Sequence, residues 1–170
     1  MKHPTPWQHC RTDSPLGSLR LARTALGLCG LWFEQDQRHA PDPARFPPEQ
    51  HRPDDPLLQE TAQRINAYFR GQQPNFALPL DLSGGTPFQQ AVWRALLTIP
   101  AGQTCSYQDL AIALGQPSAA RAVGTAVGRN PLSIIVPCHR VLGSKGQLTG
   151  YAGGLWRKQA LLQGENPSPP

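Results

Sequence analysis

Apolar residues alternate with polar ones along the first third of the chain and switch to helical spacing afterwards. Trp7 to Thr12 and Ser18 to Ala22 read as strands around Asp13-Ser14-Pro15-Leu16-Gly17, whose residues carry turn chemistry. Gly27 to Phe33 is a third apolar run, and together they predict a small antiparallel meander. A stretch holding six prolines between residues 41 and 56 predicts a surface loop or linker. A helix follows, with Asp55 as its cap, Pro56 at its first position, Leu58, Ala62, Ile65 and Phe69 on one face, and Gly71 as its stop. Phe76 to Leu82 reads as a short extended piece, and Ser83-Gly84-Gly85 as a hinge.

Beyond the hinge the pattern is mainly helical. Thr86-Pro87 opens a helix with Phe88, Ala91, Val92, Ala95 and Leu96 as its apolar face. Ser106-Tyr107-Gln108-Asp109 forms an S-x-x-D capping box before Leu110 to Leu114. Gly115-Gln116-Pro117 breaks that helix, Ser118 is expected to cap the next from Ala119 to Val127, and Asn130-Pro131 to end it. Two short helices joined by a glycine turn are the signature of a helix-turn-helix. Thr149 to Gly154 reads as a flexible loop, followed by a helix from Leu155 to Gln163 with Glu165 just past its end. The expected division is residues 1–83, 84–165 and a frayed tail 166–170. The fold class is α/β in the α+β sense, a small sheet with a helix followed by a mainly helical domain.

Charge separates the halves. Residues 1 to 85 carry nine Lys/Arg and nine Asp/Glu, whereas residues 86 to 170 carry seven Lys/Arg against Asp109 and Glu165 alone, so the whole net charge of +5 lies in the second half. Such a half attracts nucleic acid, or is an ordinary solvated basic face. The second helix of the helix-turn-helix has one long charged side chain, Arg121, among Ala, Val, Gly and Thr. That is too few base-reading groups for major-groove recognition. Small residues such as Ala120 and Gly124 instead allow close approach to a backbone or shallow groove, with Arg121 free to enter a base stack; the other reading has the alanines facing a core.

Four cysteines, Cys10, Cys29, Cys105 and Cys138, form no CxxC pair and match no zinc pattern, which predicts free thiols in a reducing compartment. Met1-Lys2-His3-Pro4 leads into no apolar segment and no run reaches the roughly 18 apolar residues of a membrane span, so the expectation is a cytoplasmic protein. The chemistry concentrates in Asn130-Pro131-Leu132-Ser133-Ile134-Ile135-Val136-Pro137-Cys138-His139-Arg140-Val141. Cys138 beside His139 reads as a nucleophile or as an inert buried thiol. On an extended segment the two side chains would point to opposite sides, leaving a bridging water to carry the proton. Glu165 is available as a distant third partner.

Read together, Ser106-Tyr107-x-x-Leu110-Ala111, Ala120-Arg121-Ala122-Val123-Gly124, Asn130-Pro131, Ile134-Ile135-Val136-Pro137-Cys138-His139-Arg140-Val141 and Tyr151-x-Gly153-Gly154-Leu155 resemble, in order and spacing, the O6-alkylguanine-DNA alkyltransferases. Ser14-Pro15-Leu16-Gly17 and Leu78-Pro79-Leu80-Asp81-Leu82 look like the bacterial Ogt-type members. The resemblance implies a ribonuclease H-like N-terminal domain and a DNA repair protein that works once. It would move an alkyl group from O6 of guanine (O4 of thymine left open) to its own cysteine. It also implies roles for the residues. Cys138 is the acceptor, His139 deprotonates it through water, Glu165 orients His139, and Asn130 holds the turn. Arg121 is the finger that fills the gap of a flipped base, Tyr107 turns the nucleotide out, and the backbone at Val141, Tyr151 and Ala152 reads the guanine edge. Gln108 and Ser144 touch the DNA backbone. The implied partner is the minor groove of double-stranded DNA, met by a monomer, with cooperativity left open. No cofactor is implied. Thr5 and Thr24 stand where some members have zinc-binding cysteines, so no metal is expected. Ala152 replaces a serine found in some members. The competing reading is an alkyltransferase-like protein that flags damage without transfer; such proteins replace the acceptor cysteine.

Overall fold

The computed structural model describes residues 5–166. The expectations for Met1–Pro4 and for the tail beyond Asn166 lie outside the described residues. The chain divides into two compact units, Met1–Asp81 and Leu82–Pro170.

In the first unit β1 (Gln8–Thr12), β2 (Leu19–Arg23) and β3 (Leu28–Phe33) pair antiparallel in the order β1-β2-β3. Leu19, Leu21, Leu28 and Leu31 are fully buried, and every residue of β3 is buried. The expected extended piece after the helix lies beside β3, through a parallel bridge at Leu28 and Leu80. It approaches so closely that a Cβ on Gly27, at φ +152°, would lie 2.5 Å from the Pro79 carbonyl, so glycine is required there. Helix α1 (Pro56–Phe69) starts as its sequence demands, with the Asp55 carboxylate accepting from Leu58 N–H at 2.9 Å. It packs on β1 and β2. Its buried face is Leu58, Thr61 and Ile65, so Thr61 takes the deeper place expected for Ala62; its hydroxyl is satisfied by donating to the Leu57 carbonyl. The proline-rich stretch is mostly loop, with two 3-10 turns, Pro43–Arg45 and Pro48–Gln50.

The second unit begins with α2 (Pro87–Leu96), opened by a reciprocal Thr86–Gln89 capping box. Its buried face is Val92, Trp93 and Leu96; Ala91, expected inside, is exposed. The large indole decides the rotation, because it buries far more apolar area than a methyl and its N–H finds the Ala126 carbonyl at 2.9 Å. Two-residue β4 (Cys105–Ser106) pairs in parallel with β5 (Val141–Leu142). Helix α3 (Tyr107–Ala113) carries the predicted capping box and ends at Gly115, φ +71°, where Gln116 N–H reaches back to the Ala111 carbonyl. Helix α4 (Ala120–Gly128) completes the helix-turn-helix. Ser118 does not cap it; the N-cap is Ala119, whose N–H closes a turn on the Gln116 carbonyl. Helix α5 (Leu155–Glu165) runs further than expected, with Glu165 as its last residue.

Candidate active site

The segment between α4 and β5 is held by one side chain. Asn130 Nδ2 donates to the Val136 carbonyl at 2.8 Å and to Leu132 O at 3.4 Å, while its Oδ1 accepts from Leu132 N–H at 2.9 Å. Residues 132 to 139 are all buried. Within this clasp Ile134 sits at φ +72°, a left-handed conformation that a β-branched residue enters only under constraint. Pro137 then caps a 3-10 turn, Cys138–Arg140. The expectation of an extended segment at Cys138 is therefore corrected: Arg140 N–H bonds to the Pro137 carbonyl, and the backbone is coiled where the chemistry lies.

Cys138 is buried, and burial pushes its thiol above the ordinary cysteine value. Four influences pull the other way: a hydrogen bond from the Asn130 side chain, the Lys158 charge, and the backbone N–H groups of Cys138 and His139. His139 is completely buried and burial pushes it below the ordinary histidine value, against the pull of Glu165. Its Nε2 lies 2.6 Å from Glu165 Oε1. An ionised Glu165 fixes the tautomer: Nε2 carries the proton and donates it, leaving the Nδ1 lone pair as the basic site. Nδ1 is buried with no hydrogen-bond partner among the described residues.

Residues 87–167 match the DNA-binding domain, and residues 11–82 the ribonuclease-like domain, of 6-O-methylguanine DNA methyltransferase. The chain belongs to this family. A Mycobacterium tuberculosis protein called methylated-DNA–protein-cysteine methyltransferase is 47% identical over 169 residues, covering 95% of this chain and 94% of its own. The Mycobacterium leprae protein of that name is 50% identical over 156 residues, covering 91% and 90%. The crystal structure of the M. tuberculosis O6-methylguanine methyltransferase superposes with a TM-score of 0.81 at 46% identity, covering 96% of this chain and 95% of that one. A crystal structure of the M. tuberculosis protein in complex with DNA matches with a TM-score of 0.77 at 46% identity, covering 92% and 91%. The antiparallel sheet, the mixed α/β architecture and the helix-turn-helix are those of this family.

Other residues singled out by the family resemblance lie elsewhere in the second unit. The Tyr107 hydroxyl lies 3.4 Å from both the carbonyl and the hydroxyl of Thr149, so the first helix of the helix-turn-helix meets the loop before Tyr151. A Cβ on Gly124 would stand 3.5 Å from the Tyr107 ring, an ordinary contact distance, so α4 passes beside that ring at Gly124. Tyr151 is buried and Ala152 half-buried. Arg121 and Ser144 are exposed, and Ala120 is half-buried. Gln108, expected to meet DNA, uses its side-chain amide to donate to the Pro117 carbonyl at 2.7 Å, inside the turn.

Two residues escaped the sequence reading. Lys158 is fully buried, and its ammonium donates to the carbonyls of Val141 (2.6 Å), Thr149 (2.8 Å) and Gly150 (3.3 Å). Burial pulls it down to about 8, against the raising effect of Cys138. Arg140 grips Glu165 with Nε at 2.9 Å and Nη2 at 2.8 Å, and donates Nη1 to the Ile99 carbonyl at 2.6 Å. The signal for Lys158 was a charged pair, Arg157-Lys158, in a helical first turn, where cations oppose the dipole and need another reason to be present.

Proposed function

We propose that this chain repairs DNA by direct reversal, moving an alkyl group from O6 of guanine to Cys138 Sγ. The observation that carries this reading is the buried Asn130–Cys138–His139–Glu165 arrangement in a member of a methyltransferase family whose relatives are named for transfer to a protein cysteine. The thiol proton passes to His139 Nδ1 through a water, and Glu165 stabilises the imidazolium that forms. The thiolate attacks the alkyl carbon in line with O6. The C–S bond forms as the C–O bond breaks, and the electron pair leaves on guanine, which takes up one proton. The product is a thioether with no leaving route, so each molecule acts once.

A base inside a duplex hides O6 from a protein thiol, so the nucleotide is flipped out, at a cost on the order of a few kcal/mol. Helix α4 approaches the minor groove through Ala120 and Gly124, and Arg121 fills the vacated stack. Tyr107 turns the nucleotide, the backbone at Val141, Tyr151 and Ala152 reads the guanine edge, and Ser144 contacts phosphate. Gln108 acts by shaping the turn as well as by meeting the backbone. Residues 1–83 form the N-terminal α/β domain, residues 84–165 the DNA-binding and active-site domain, and the protein acts as a cytoplasmic monomer. Among the described residues no helix is long and apolar enough to cross a membrane.

The test is a duplex carrying O6-[methyl-labelled] guanine. Label is expected on protein, at most one per molecule, and on the tryptic peptide containing Cys138. Cys138→Ser is expected to abolish transfer while DNA binding remains. Label reaching the Ser variant would remove Cys138 from the role, and tight binding by wild type with label left on DNA would establish a damage-flagging protein instead.

A further inference from the structure

The seven Lys/Arg of the second half are not equally available to a polyanion. Arg140 is engaged by Glu165 and the Ile99 carbonyl, and Lys158 by three carbonyls. Arg157 donates to the Gly153 carbonyl at 3.0 Å and stacks on the Trp156 ring. Arg94 leans on its own helix, its Nη2 donating to Gln90 Oε1 at 3.2 Å. Among the described residues the side chains of Arg121, Arg129 and Lys145 have no hydrogen bond or ion pair, and all three are exposed. Arg121 is the proposed filler of the base stack, and Lys145 adjoins Ser144, the proposed phosphate contact. Arg129 is the remaining free guanidinium, and it stands at the far end of α4.

Residues four apart share a helix face, so Arg121, Thr125 and Arg129 form one row. All three are exposed, whereas Val123, Ala126 and Val127 are buried. The chain is still coiled at Arg129, whose N–H closes on the Ala126 carbonyl at 3.1 Å. The Thr125 hydroxyl turns back onto the helix and donates to the Arg121 carbonyl at 3.2 Å, so no long side chain separates the two guanidiniums in the row. Eight residues of helix rise about 12 Å. The minor groove of B-DNA is only about 6 Å wide. With Arg121 in the base stack, a side chain that far along the same face is past the groove floor and meets its wall, which is phosphate. We propose that Arg129 is a DNA-binding residue whose guanidinium pairs with a backbone phosphate of the duplex, two helical turns from Arg121. The inference rests on the reading of α4 as the helix that enters the minor groove. Arg129 directly precedes Asn130, whose side chain clasps the segment leading to Cys138. A phosphate held there sets the DNA strand in register with the acceptor and carries no sequence information.

The experiment measures binding of a methylated duplex from about 50 to about 200 mM salt, in the Cys138→Ser background so that no alkyl group is transferred. Each phosphate neutralised contributes about −0.9 to the slope of log K against log salt concentration. Arg129→Gln is expected to weaken binding at the low-salt end and to make the slope shallower by about 0.9, so that its affinity falls about 3.5-fold less across this range than that of the parent. The effect should be the same in any flanking sequence. Arg129→Lys keeps the charge and should keep the parent slope. With Cys138 restored, label transfer from the free O6-methylguanine base should run in Arg129→Gln at the wild-type rate, because that substrate has no phosphate. An unchanged slope in Arg129→Gln overturns the proposal and leaves the side chain only its favourable place at the C-terminal end of the α4 dipole. A Lys variant whose slope falls with that of Gln overturns it too, as does a slowed free-base reaction, which would mean that Arg129 acts through the Asn130 clasp. Label transfer from the methylated duplex is run on the wild type alongside. Its absence with the expected change of slope overturns the repair reading alone; transfer with an unchanged slope overturns the Arg129 role alone.

Discussion

His9 in the first unit and His139 in the second are both buried, and burial is the leading cause that pushes each below the ordinary histidine value. Their surroundings differ. His9 has both ring nitrogens occupied, Nε2 donating to the Pro47 carbonyl at 3.0 Å and Nδ1 facing Arg20 Nη1 at 3.3 Å, with the Phe46 ring edge-on beside it. His139 has a carboxylate on one nitrogen and, among the described residues, no hydrogen-bond partner on the other, which is buried. The first is a tie between a strand and the proline-rich segment; the second has the surroundings of the base proposed for it. The cysteines repeat the contrast. Cys10 and Cys29 are pushed up to about 11 and about 12 by burial and then further by Asp55 and Asp81 respectively. Cys138 is also raised by burial, but its main polar neighbours lower it. Burial alone makes a thiol inert, and the sign of the leading influence after burial separates Cys10 and Cys29 from Cys138, the proposed acceptor.

Removing the clasp should have the largest effect. Asn130→Ala deletes the bonds to Leu132 and Val136, leaves buried backbone groups unsatisfied, and frees Ile134 from its left-handed conformation. A loss of about 3 kcal/mol is expected in urea unfolding, and single-turnover transfer from a methylated duplex should fall by about two orders of magnitude as the thiol loses both its place and a hydrogen bond. Transfer at the wild-type rate would show that the strained turn positions nothing.

A smaller change tests the charges. Lys158→Met keeps the length of the side chain and removes the ammonium, one of the influences that lower Cys138. The thiol should rise, moving the pH–rate profile of transfer to higher pH and slowing transfer near neutrality by about tenfold. An unmoved profile with slower transfer would reduce Lys158 to a clamp on the Val141, Thr149 and Gly150 carbonyls.

The contrast was only half visible in the sequence, for a physical reason. Local chemistry can be read along the chain: Asp55-Pro56 begins α1, Ser106 and Asp109 close their capping box, and Cys138-His139 stands out from its aliphatic run. Interactions that depend on where a side chain lands after packing cannot. Trp93 turned α2 away from the face that Ala91 predicted, because an indole competes for burial and for the Ala126 carbonyl. The 3-10 turn at Cys138 depends on a Pro137 carbonyl that an extended reading leaves free. Along the chain Arg140 and Lys158 count only toward the charge of the second half, since only folding brings Glu165 and three carbonyls to them. The bond from the Gln108 amide to the Pro117 carbonyl was likewise out of reach of a reading along the chain.

The mildest test falls on the structural histidine. His9→Phe keeps a ring against Phe46 and gives up the bond to Pro47, for an expected loss of about 1 kcal/mol at neutral pH. The informative part is the acid limb. A histidine held below its unfolded value of 6.5 binds its proton more readily in the unfolded chain, so its contribution to stability is complete above that value and is lost as pH falls through the folded one. For His9 the causes that lower it are burial and the charges of Arg20, His51 and Arg11, opposed by the Pro47 bond. Wild type should therefore weaken below about pH 6.5 through both His9 and His139, and the Phe variant through His139 alone, giving a shallower fall. Unfolding by urea at a series of pH values, with Cys138 transfer measured on the same samples, separates the two: the variant should lose part of the acid sensitivity in stability and keep all of it in transfer. A fall in stability as steep as that of wild type would mean that His9 is not the neutral tie its hydrogen bonds describe.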